Sequence, residues 1–180
     1  MSVALLPGRF QPFHRGHLAI AQTAVADGHE LLVMIGSAQE AATWENPFSA
    51  GERREMVATG MAAAGLAPRA IVAVADLNDY DRWVAHVVAR LGPFDCVYSA
   101  VIGGGLLGLE AANALVQRLF GAAGYRVIAP ELQNRREWEG GSIRQALAAA
   151  GAWETALQPE VAALVQRYGG PERLRSLAPG

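Results

Sequence analysis

The sequence contains no lysine, so all 15 of its basic residues are arginine. This absence excludes a Schiff-base lysine, a lysine general base and the lysine of a Walker-type phosphate-binding loop. The single cysteine, Cys96, excludes an internal disulfide and suits a reducing compartment. Cys96 lies in an apolar stretch, which predicts a buried and inert thiol.

The sequence also lacks an excess of charge and a long apolar run. The 15 basic residues face 17 acidic ones, for a net charge of −2. This balance argues against a nucleic-acid binder or an anionic-membrane binder, because both need a basic face. No apolar stretch reaches the ~18 residues of a membrane span, and the first residues are too short an apolar run for a signal peptide. We therefore expect a cytoplasmic protein that binds neither nucleic acid nor membrane.

Length and hydrophobicity predict one folded unit. The 180 residues are 52% hydrophobic, and a chain of this size buries roughly 70% of its unfolded surface. We expect a single domain over residues 1–180 whose C-terminal part, about 142–177, is helical.

Short apolar runs alternate with alanine-rich amphipathic stretches along the chain. This pattern predicts an α/β fold with a doubly wound, parallel, five-stranded sheet, Rossmann-like, covered by helices on both faces. The predicted strands are Val3–Leu6, Leu31–Ile35, Ala70–Ala75, Asp95–Ile102 and Tyr125–Ala129. The predicted helices are Arg15–Ala26, Glu52–Ala64, Arg82–Leu91, Leu109–Ala122, Ser142–Ala150 and Pro159–Tyr168. Ligands of such sheets bind at the carboxyl ends of the strands.

The loop after the first strand carries the strongest chemical signal. Gly8 lets a ligand approach the backbone, and His14 and His17 project from one side of the first turn of a helix. The unpaired amides and positive dipole of a helix N-terminus form an anion site, to which imidazoles add hydrogen-bond donors. The loop therefore predicts a phosphate site.

This loop, Gly8-Arg-Phe-Gln-Pro-Phe-His-Arg-Gly-His17, resembles the signature of the HxGH nucleotidylyltransferases. Within them it is similar to the archaeal-type nicotinamide mononucleotide (NMN) adenylyltransferases and to their bacterial relatives fused to Nudix domains. Further segments that resemble this family are Gly36–Gln39, Asn46–Val57, Asp76–Asn78, Trp83–Val84, His86–Val87 and Asn134–Arg144.

The resemblance implies the transfer of an adenylyl group from ATP to NMN, which forms NAD and pyrophosphate. The attacking phosphate is already ionised, so positioning and charge neutralisation are what the protein must supply. The implied catalytic residues are His14, His17, Arg53 and Arg144, and the implied ATP-binding residues are Gly8, Arg9, Phe10, Gly16 and Ser142. The implied NMN-binding residues are Asp76, Asn78 and Trp83, with Mg²⁺ held through the ATP phosphates.

Two of these residues have an ordinary structural alternative. Trp83 on an apolar helix suits a core position. Arg53, followed by Arg54 and Glu55, suits a solvated helix face.

The sequence departs from the family pattern in the C-terminal phosphate motif. Glu139 and Gly141 stand where the family has Ser and Thr, although Ser142 supplies a nearby hydroxyl. The change removes a hydroxyl and adds a negative charge near the expected triphosphate.

A second departure is a glycine-rich insert at residues 100–112. It contains Gly103-x-Gly105-x-x-Gly108 between a strand and a helix, and Glu131 follows the next strand. This spacing resembles a dinucleotide fingerprint and the NADH-binding turn of flavin-dependent oxidoreductases. The 49 residues after Glu131 are too few for a flavin or substrate domain, so we interpret the insert as a longer loop or an extended helix.

Two other functions are compatible with the sequence. One is an HxGH enzyme with a different acceptor, either nicotinate mononucleotide or phosphopantetheine. The other is a non-catalytic regulatory domain that binds NAD(H). The oligomeric state is not readable from the sequence. The resembling family commonly forms symmetric oligomers, so a homo-oligomer with the apolar insert at an interface between copies is a hypothesis.

Overall fold

The computed structural model describes residues 1–77, 79–99, 109–131 and 138–178, with the backbone alone for 109–113. Its strands are β1 Val3–Gly8, β2 Glu30–Ile35, β3 Ala70–Ala73, β4 Cys96–Tyr98 and β5 Arg126–Ile128. Its helices are α1 Arg15–Ala26, α2 Ala50–Ala63, α3 Tyr80–Leu91, α4 Leu109–Ala122, α5 Gly140–Ala148, α6 Pro159–Arg167 and α7 Gly170–Leu177, with a 3₁₀ turn at Glu154–Ala156.

The five strands form one parallel sheet in the order β3-β2-β1-β4-β5. The chain builds outward from β1 to β3, and then crosses back to place β4 on the other side of β1. The strand order therefore reverses beside β1, at the kind of position where doubly wound sheets bind ligands. The carboxyl end of β1 is Gly8, next to Ile35 of β2.

Both faces of the sheet are covered, as parallel strands require. Ala4 and Leu6 of β1 point into a core cluster that includes residues of α1, α2, α5, α6 and α7. Val3 and Leu5 point into a second cluster, on the other face, with side chains of α3 and α4. The expected doubly wound α/β fold is confirmed.

The predicted strands and helices are all present, and their boundaries agree with the prediction to different degrees. Helix α1 has the predicted bounds, as does α4. Strand β3 ends at Ala73 and not at Ala75, and α5 begins two residues earlier than predicted. Helix α7 lies within the predicted helical part, about 142–177, but was given no bounds of its own, because a helix of eight residues that is polar on average contains few apolar residues.

The C-terminal helices pack against the first half of the chain. Helix α6 lies on α2, and α5 lies on α7. Arg173 of α7 donates to both carboxylate oxygens of Glu52, at 2.9 Å each, and to the carbonyl of Pro47. Glu52 also accepts from the amide of Ser49, the N-cap of α2. The end of the chain is thereby joined to the start of α2.

Cys96 is buried in β4, at 3% exposure, as predicted. None of the helices that the structure describes is long and apolar enough to cross a bilayer.

The contact between α2 and α6 leaves no space for a side chain at Gly60. A Cβ atom there would lie 2.8 Å from the Phe13 ring and from Oε1 of Gln158. We expect Gly60→Ala to lower the free energy of unfolding by about 1–3 kcal/mol through overpacking. Gly121→Ala in α4 is the matched control, because nothing lies within 4 Å of its Cβ position. That change should be neutral or should stabilise by up to about 1 kcal/mol. Urea unfolding measures both, and equal effects at the two sites would contradict the packing.

Candidate active site

The turn from β1 into α1 is built on a glycine and an aromatic ring. A Cβ at Gly8 would lie 2.8 Å from two atoms of the Phe10 ring, so only glycine fits. Phe10 is fully buried, and its ring meets His17 edge-on with centroids 4.7 Å apart. The Phe10 ring therefore packs against His17, a candidate phosphate-binding residue, and Phe10 has no exposed surface for contact with a nucleotide.

His14 and His17 stack on each other at the N-terminus of α1. Their ring centroids are 3.6 Å apart and the planes are inclined by 26°. The backbone amide of His14 donates to Nδ1 of His17 at 3.3 Å. Since Nδ1 accepts this bond, the proton of the neutral His17 ring lies on Nε2, where it is available as a donor.

Both imidazoles are neutral at pH 7. Burial lowers the pKa of His14 well below its usual value, and the nearby His17 and Arg144 lower it further. Burial also lowers the pKa of His17 to about 3. Nδ1 of His14 is buried and has no hydrogen-bond partner among the residues that the structure describes.

Gly16 allows α5 to approach the start of α1. A Cβ at Gly16 would lie 3.1 Å from the His14 ring and 3.4 Å from the carbonyl oxygen of Trp138. The first turns of α1 and α5 are therefore neighbours, although α5 begins more than a hundred residues later. Each helix directs unpaired backbone amides and a positive dipole end from its first turn.

Arg144 reaches this junction from α5. It is 4% exposed, and its Nη1 donates to the carbonyl oxygen of Gln11 at 3.2 Å. Its Nε is buried and has no partner within the described part of the chain. Burial, followed by the neighbouring charge of Arg9, lowers the pKa of Arg144 to about 10, so the guanidinium is charged at pH 7. Ser142, in the same first turn, is exposed.

Gln11 joins the loop after β1 to the loop between β2 and α2, a role that the sequence did not predict. Its side-chain amide donates to the carbonyl of Phe48 and accepts from the amide of Phe48, both at 2.9 Å. Gln11 is 3% exposed. Gln11 lies within the HxGH signature, but an amide side chain gives no charge pattern that would reveal this contact.

Arg53 uses its whole guanidinium on the backbone in this structure, and its direct role at the triphosphate stays a prediction. It is fully buried, and all five of its N–H donors are directed at backbone carbonyl oxygens. The acceptors are Arg9, Gly36, Ser37, Glu40 and Ser49, at 2.8–3.4 Å. A phosphate could be contacted only at the expense of these bonds. Because Arg53 is fully buried, the alternative interpretation, a position on a solvated helix face, is wrong.

Arg9 is half-buried at the mouth of the site. Burial lowers its pKa, while the carboxylates of Glu45 and Asp76 raise it. The charge of Arg9 in turn lowers the pKa of Arg53, after burial, to about 10. Arg9, Arg53 and Arg144 thus form a cluster of positive charge at the carboxyl ends of β1 and β2. Glu45 was not singled out from the sequence, because an exposed loop carboxylate has no distinguishing pattern.

The structure describes two of the three predicted NMN-binding residues, Asp76 and Trp83. Asp76 is exposed after β3, and its amide donates to the side chain of Gln39 at 3.0 Å. Asn78 lies outside the described residues. Trp83 is 7% exposed in the core cluster of α3 and α4, edge-on to Phe120 with centroids 5.4 Å apart. This position matches the core alternative for Trp83, and contact of its indole with nicotinamide stays a prediction.

The glycine-rich insert lies largely outside the described residues, which omit 100–108, whereas Glu139 and Gly141 of the C-terminal motif lie at the described start of α5. Glu139 is the N-cap of α5, and its side chain makes no capping hydrogen bond. The expected helix over residues 109–122 is present.

Comparison with known proteins agrees with this geometry. A cytidylyltransferase-like family model matches residues 5–79. The nicotinamide-nucleotide adenylyltransferase of Picrophilus torridus is 35% identical over 175 residues, which cover 97% of this chain and 96% of that protein. The enzymes of the same name from Archaeoglobus fulgidus and Ignicoccus hospitalis are 34% and 37% identical, each with 97% of both chains covered.

A solved structure shares the fold. The bifunctional NMN adenylyltransferase/ADP ribose pyrophosphatase of Francisella tularensis, complexed with AMP and a manganese ion, superposes with a TM-score of 0.72 at 18% identity. The match covers 98% of this chain and 51% of that protein, so this chain spans about half its length. With the full-length sequence matches, the resemblance found in the sequence is confirmed, and the chain belongs to the nicotinamide-nucleotide adenylyltransferase family of nucleotidyltransferases.

Proposed function

We propose that this chain transfers the adenylyl group of ATP to NMN and releases pyrophosphate. An oxygen of the NMN 5′-phosphate attacks the α-phosphorus of ATP, and the bond from that phosphorus to the oxygen of the β-phosphate breaks. The new phosphoanhydride completes NAD, and the electron pair of the broken bond leaves on pyrophosphate. The observation that carries the proposal is the buried Nε of Arg144, which has no partner among the described residues, beside the stacked histidines at the N-terminus of α1.

The reaction needs no base from the protein. The attacking phosphate is ionised at pH 7, so catalysis depends on alignment and on neutralising charge at the α-phosphate and the leaving pyrophosphate. Fixed hydrogen-bond donors in a site with little water supply this stabilisation.

We assign the donors as follows. Nε2–H of His17 binds the reacting α-phosphate, since the bond from the His14 amide orients that proton outward. His14, Arg9 and Arg144 bind the remaining phosphates, together with the first-turn amides around Gly16 and Ser142. Gly8 gives the phosphates access to the backbone, and Phe10 supports the His17 ring.

Mg²⁺ enters this scheme as part of the substrate. Among the described residues no group of three or more His, Cys, Asp or Glu side chains could hold a metal ion. The donors at the site are arginines and neutral imidazoles, which suit phosphate oxygens. We therefore propose that ATP carries Mg²⁺ on its own phosphates. The Francisella tularensis protein was solved with AMP and manganese, which supports a divalent cation in this fold.

NMN lies, in our proposal, on the β3 side of the site. Asp76 follows β3 directly and lies near enough to Arg9 to raise its pKa. Asp76 and Asn78 supply polar contacts there, and an edge of the Trp83 indole faces the nicotinamide. We also propose a cytoplasmic location, which suits the reduced, buried Cys96.

The first test measures pyrophosphate release from ATP and Mg²⁺ with NMN, nicotinate mononucleotide or phosphopantetheine offered separately. We expect release with NMN, and a loss of at least about a hundredfold in kcat for His17→Ala, as for removal of one transition-state donor. The matched control is His29→Gln, at the opposite end of the sheet, which should keep the rate within about twofold. Folded protein that releases no pyrophosphate with any acceptor would overturn the proposal, and calorimetric binding of NAD⁺ would then favour a regulatory domain.

A second test addresses Arg144. Its Nε, which has no partner among the described residues, should bind the triphosphate in the ground state, so we expect Arg144→Gln to raise the KM for ATP at least about tenfold, the value of one charge-assisted bond. Arg175→Gln is the matched control, because Arg175 is an exposed residue of α7 whose guanidinium is paired with Glu172. A KM for ATP that responds equally to both changes would show that general charge, and not the position of Arg144, governs binding.

A third test uses the neutrality of the histidines. Folding lowers the pKa of His17 from about 6.5 to about 3. Between these values the unfolded chain binds a proton that the folded chain excludes, so stability falls as the pH decreases from about 6.5 towards 3. From pH 7 to pH 5 this histidine accounts for about 2 kcal/mol. We expect His17→Gln to lose that much less stability over this interval, as measured by urea unfolding. Equal losses in both proteins would show that His17 is not held neutral by the fold.

A further inference from the structure

Arg53 is the only fully buried charged residue among those described, and it contacts three separate segments of the chain. Its Nη1 donates to the carbonyls of Arg9, at 3.0 Å, and Gly36, at 2.8 Å, which lie just after β1 and β2. Its Nη2 and Nε donate to carbonyls of the second loop and of the α2 N-cap. One guanidinium thus joins the ends of two neighbouring strands to the first turn of α2.

The two carbonyls bound by Nη1 share an unusual backbone context. Each precedes a non-glycine residue in the left-handed region, Phe10 with φ +53° after Arg9 and Ser37 with φ +48° after Gly36. Such a conformation costs an L-residue about 1 kcal/mol or more, and it persists only where surrounding contacts enforce it. The two turns are also joined directly, because the amide of Gly36 donates to the carbonyl of Gly8 at 3.0 Å.

The conformation of these turns determines where the side chains proposed to bind the nucleotide lie. The turn at Phe10 places the aromatic ring beneath His17 and sends the Arg9 side chain into the site. If the turns relaxed, Arg9 and the histidine pair would move relative to each other while both remained chemically intact.

We propose that Arg53 is a positioning residue, which holds the strand ends at Arg9 and Gly36 in their left-handed turns and so preorganises the phosphate site without touching the nucleotide. The proposal deepens the proposed function, since it assumes that this site binds ATP. Lysine cannot replace Arg53 in this role, because a single ammonium group cannot reach carbonyls on three segments in a planar arrangement.

The test is a rescue by glycine at one of the strained positions. Arg53→Lys should weaken ATP·Mg²⁺ binding at least about tenfold in calorimetry without an acceptor, which corresponds to the release of one strained turn or more. Ser37→Gly removes the cost of the left-handed conformation, because glycine adopts it without strain. In the Arg53→Lys background Ser37→Gly should therefore recover about fivefold in affinity, a gain at least about threefold larger than it gives in the unaltered protein.

Ser37→Ala in both backgrounds is the matched control. It removes the hydroxyl but keeps the backbone restriction of an L-residue, so it should recover no affinity. Should Arg53→Lys fail to fold, the same cycle is run with Arg53→Gln, which keeps a donor for one or two carbonyls.

A readout without ligand separates this proposal from the proposed function. The amides of Gly36, Ala38 and Glu40 are hydrogen-bonded in the native turn. Their hydrogen exchange should accelerate at least about tenfold in Arg53→Lys and slow again on adding Ser37→Gly but not Ser37→Ala. If exchange is unchanged in Arg53→Lys, or if Ser37→Gly acts equally in both backgrounds, Arg53 is not a positioning residue. If the unaltered protein binds no ATP, the proposed function fails, and the exchange measurements still decide the role of Arg53.

Discussion

The connection between β1 and α1 is the constraint on which the site depends. Residues 9–14 must carry the chain from a buried strand into a helix that lies against the same sheet. Glycine at positions 8 and 16 lets the rings of Phe10 and His14 take space that a Cβ would occupy. The main chain of this turn then becomes the surface on which other segments bind, since Gln11 contacts both Phe48 and Arg144. Because the side chains of this turn are closely packed, its backbone has few alternative conformations, and the residues proposed to bind the ligand are held in place.

In the protein without ligand, the clustered arginine charges at the site are unfavourable, and a bound anion would neutralise them. Burial lowers the pKa values of Arg9, Arg53 and Arg144, and the charge of Arg9 lowers those of Arg53 and Arg144 further. Beside them His14 is neutral and has a buried nitrogen without a partner in the described residues, as has Arg144. An unmade buried hydrogen bond costs about 1–3 kcal/mol. Since a triphosphate supplies both negative charge and acceptors, part of its binding energy comes from relieving this cost. The stability of the empty protein and the affinity for nucleotide are therefore opposed at this site.

The HxGH turn and the doubly wound parallel sheet follow from local patterns and from the general behaviour of parallel sheets, and the structure contains both. The surroundings of individual side chains follow less directly from the sequence. Arg53 opens a charged run in which Arg54 and Glu55 are exposed, yet it is completely buried. Its partners are backbone carbonyl groups, which every residue has, so no pattern of residue types in the sequence predicts these hydrogen bonds. Trp83 illustrates the same limit, because an amphipathic helix shows that one face is buried but not what lies against it.

The C-terminal helices complete the site even though they follow the whole sheet in sequence. Arg144 comes from α5 and binds a carbonyl of the first loop, so the phosphate site exists only once the two ends of the chain have met. Helix α7 acts one step further away, because Arg173 binds Glu52, the residue before Arg53 in the first turn of α2. Glu52 stabilises that turn twice, as a capping carboxylate for Ser49 and as a negative charge at the positive end of the helix. The same turn carries the guanidinium that binds the ends of β1 and β2. Hydrogen bonds thus connect α7 to the first turn of α2, and that turn to the ends of β1 and β2, where the nucleotide site lies.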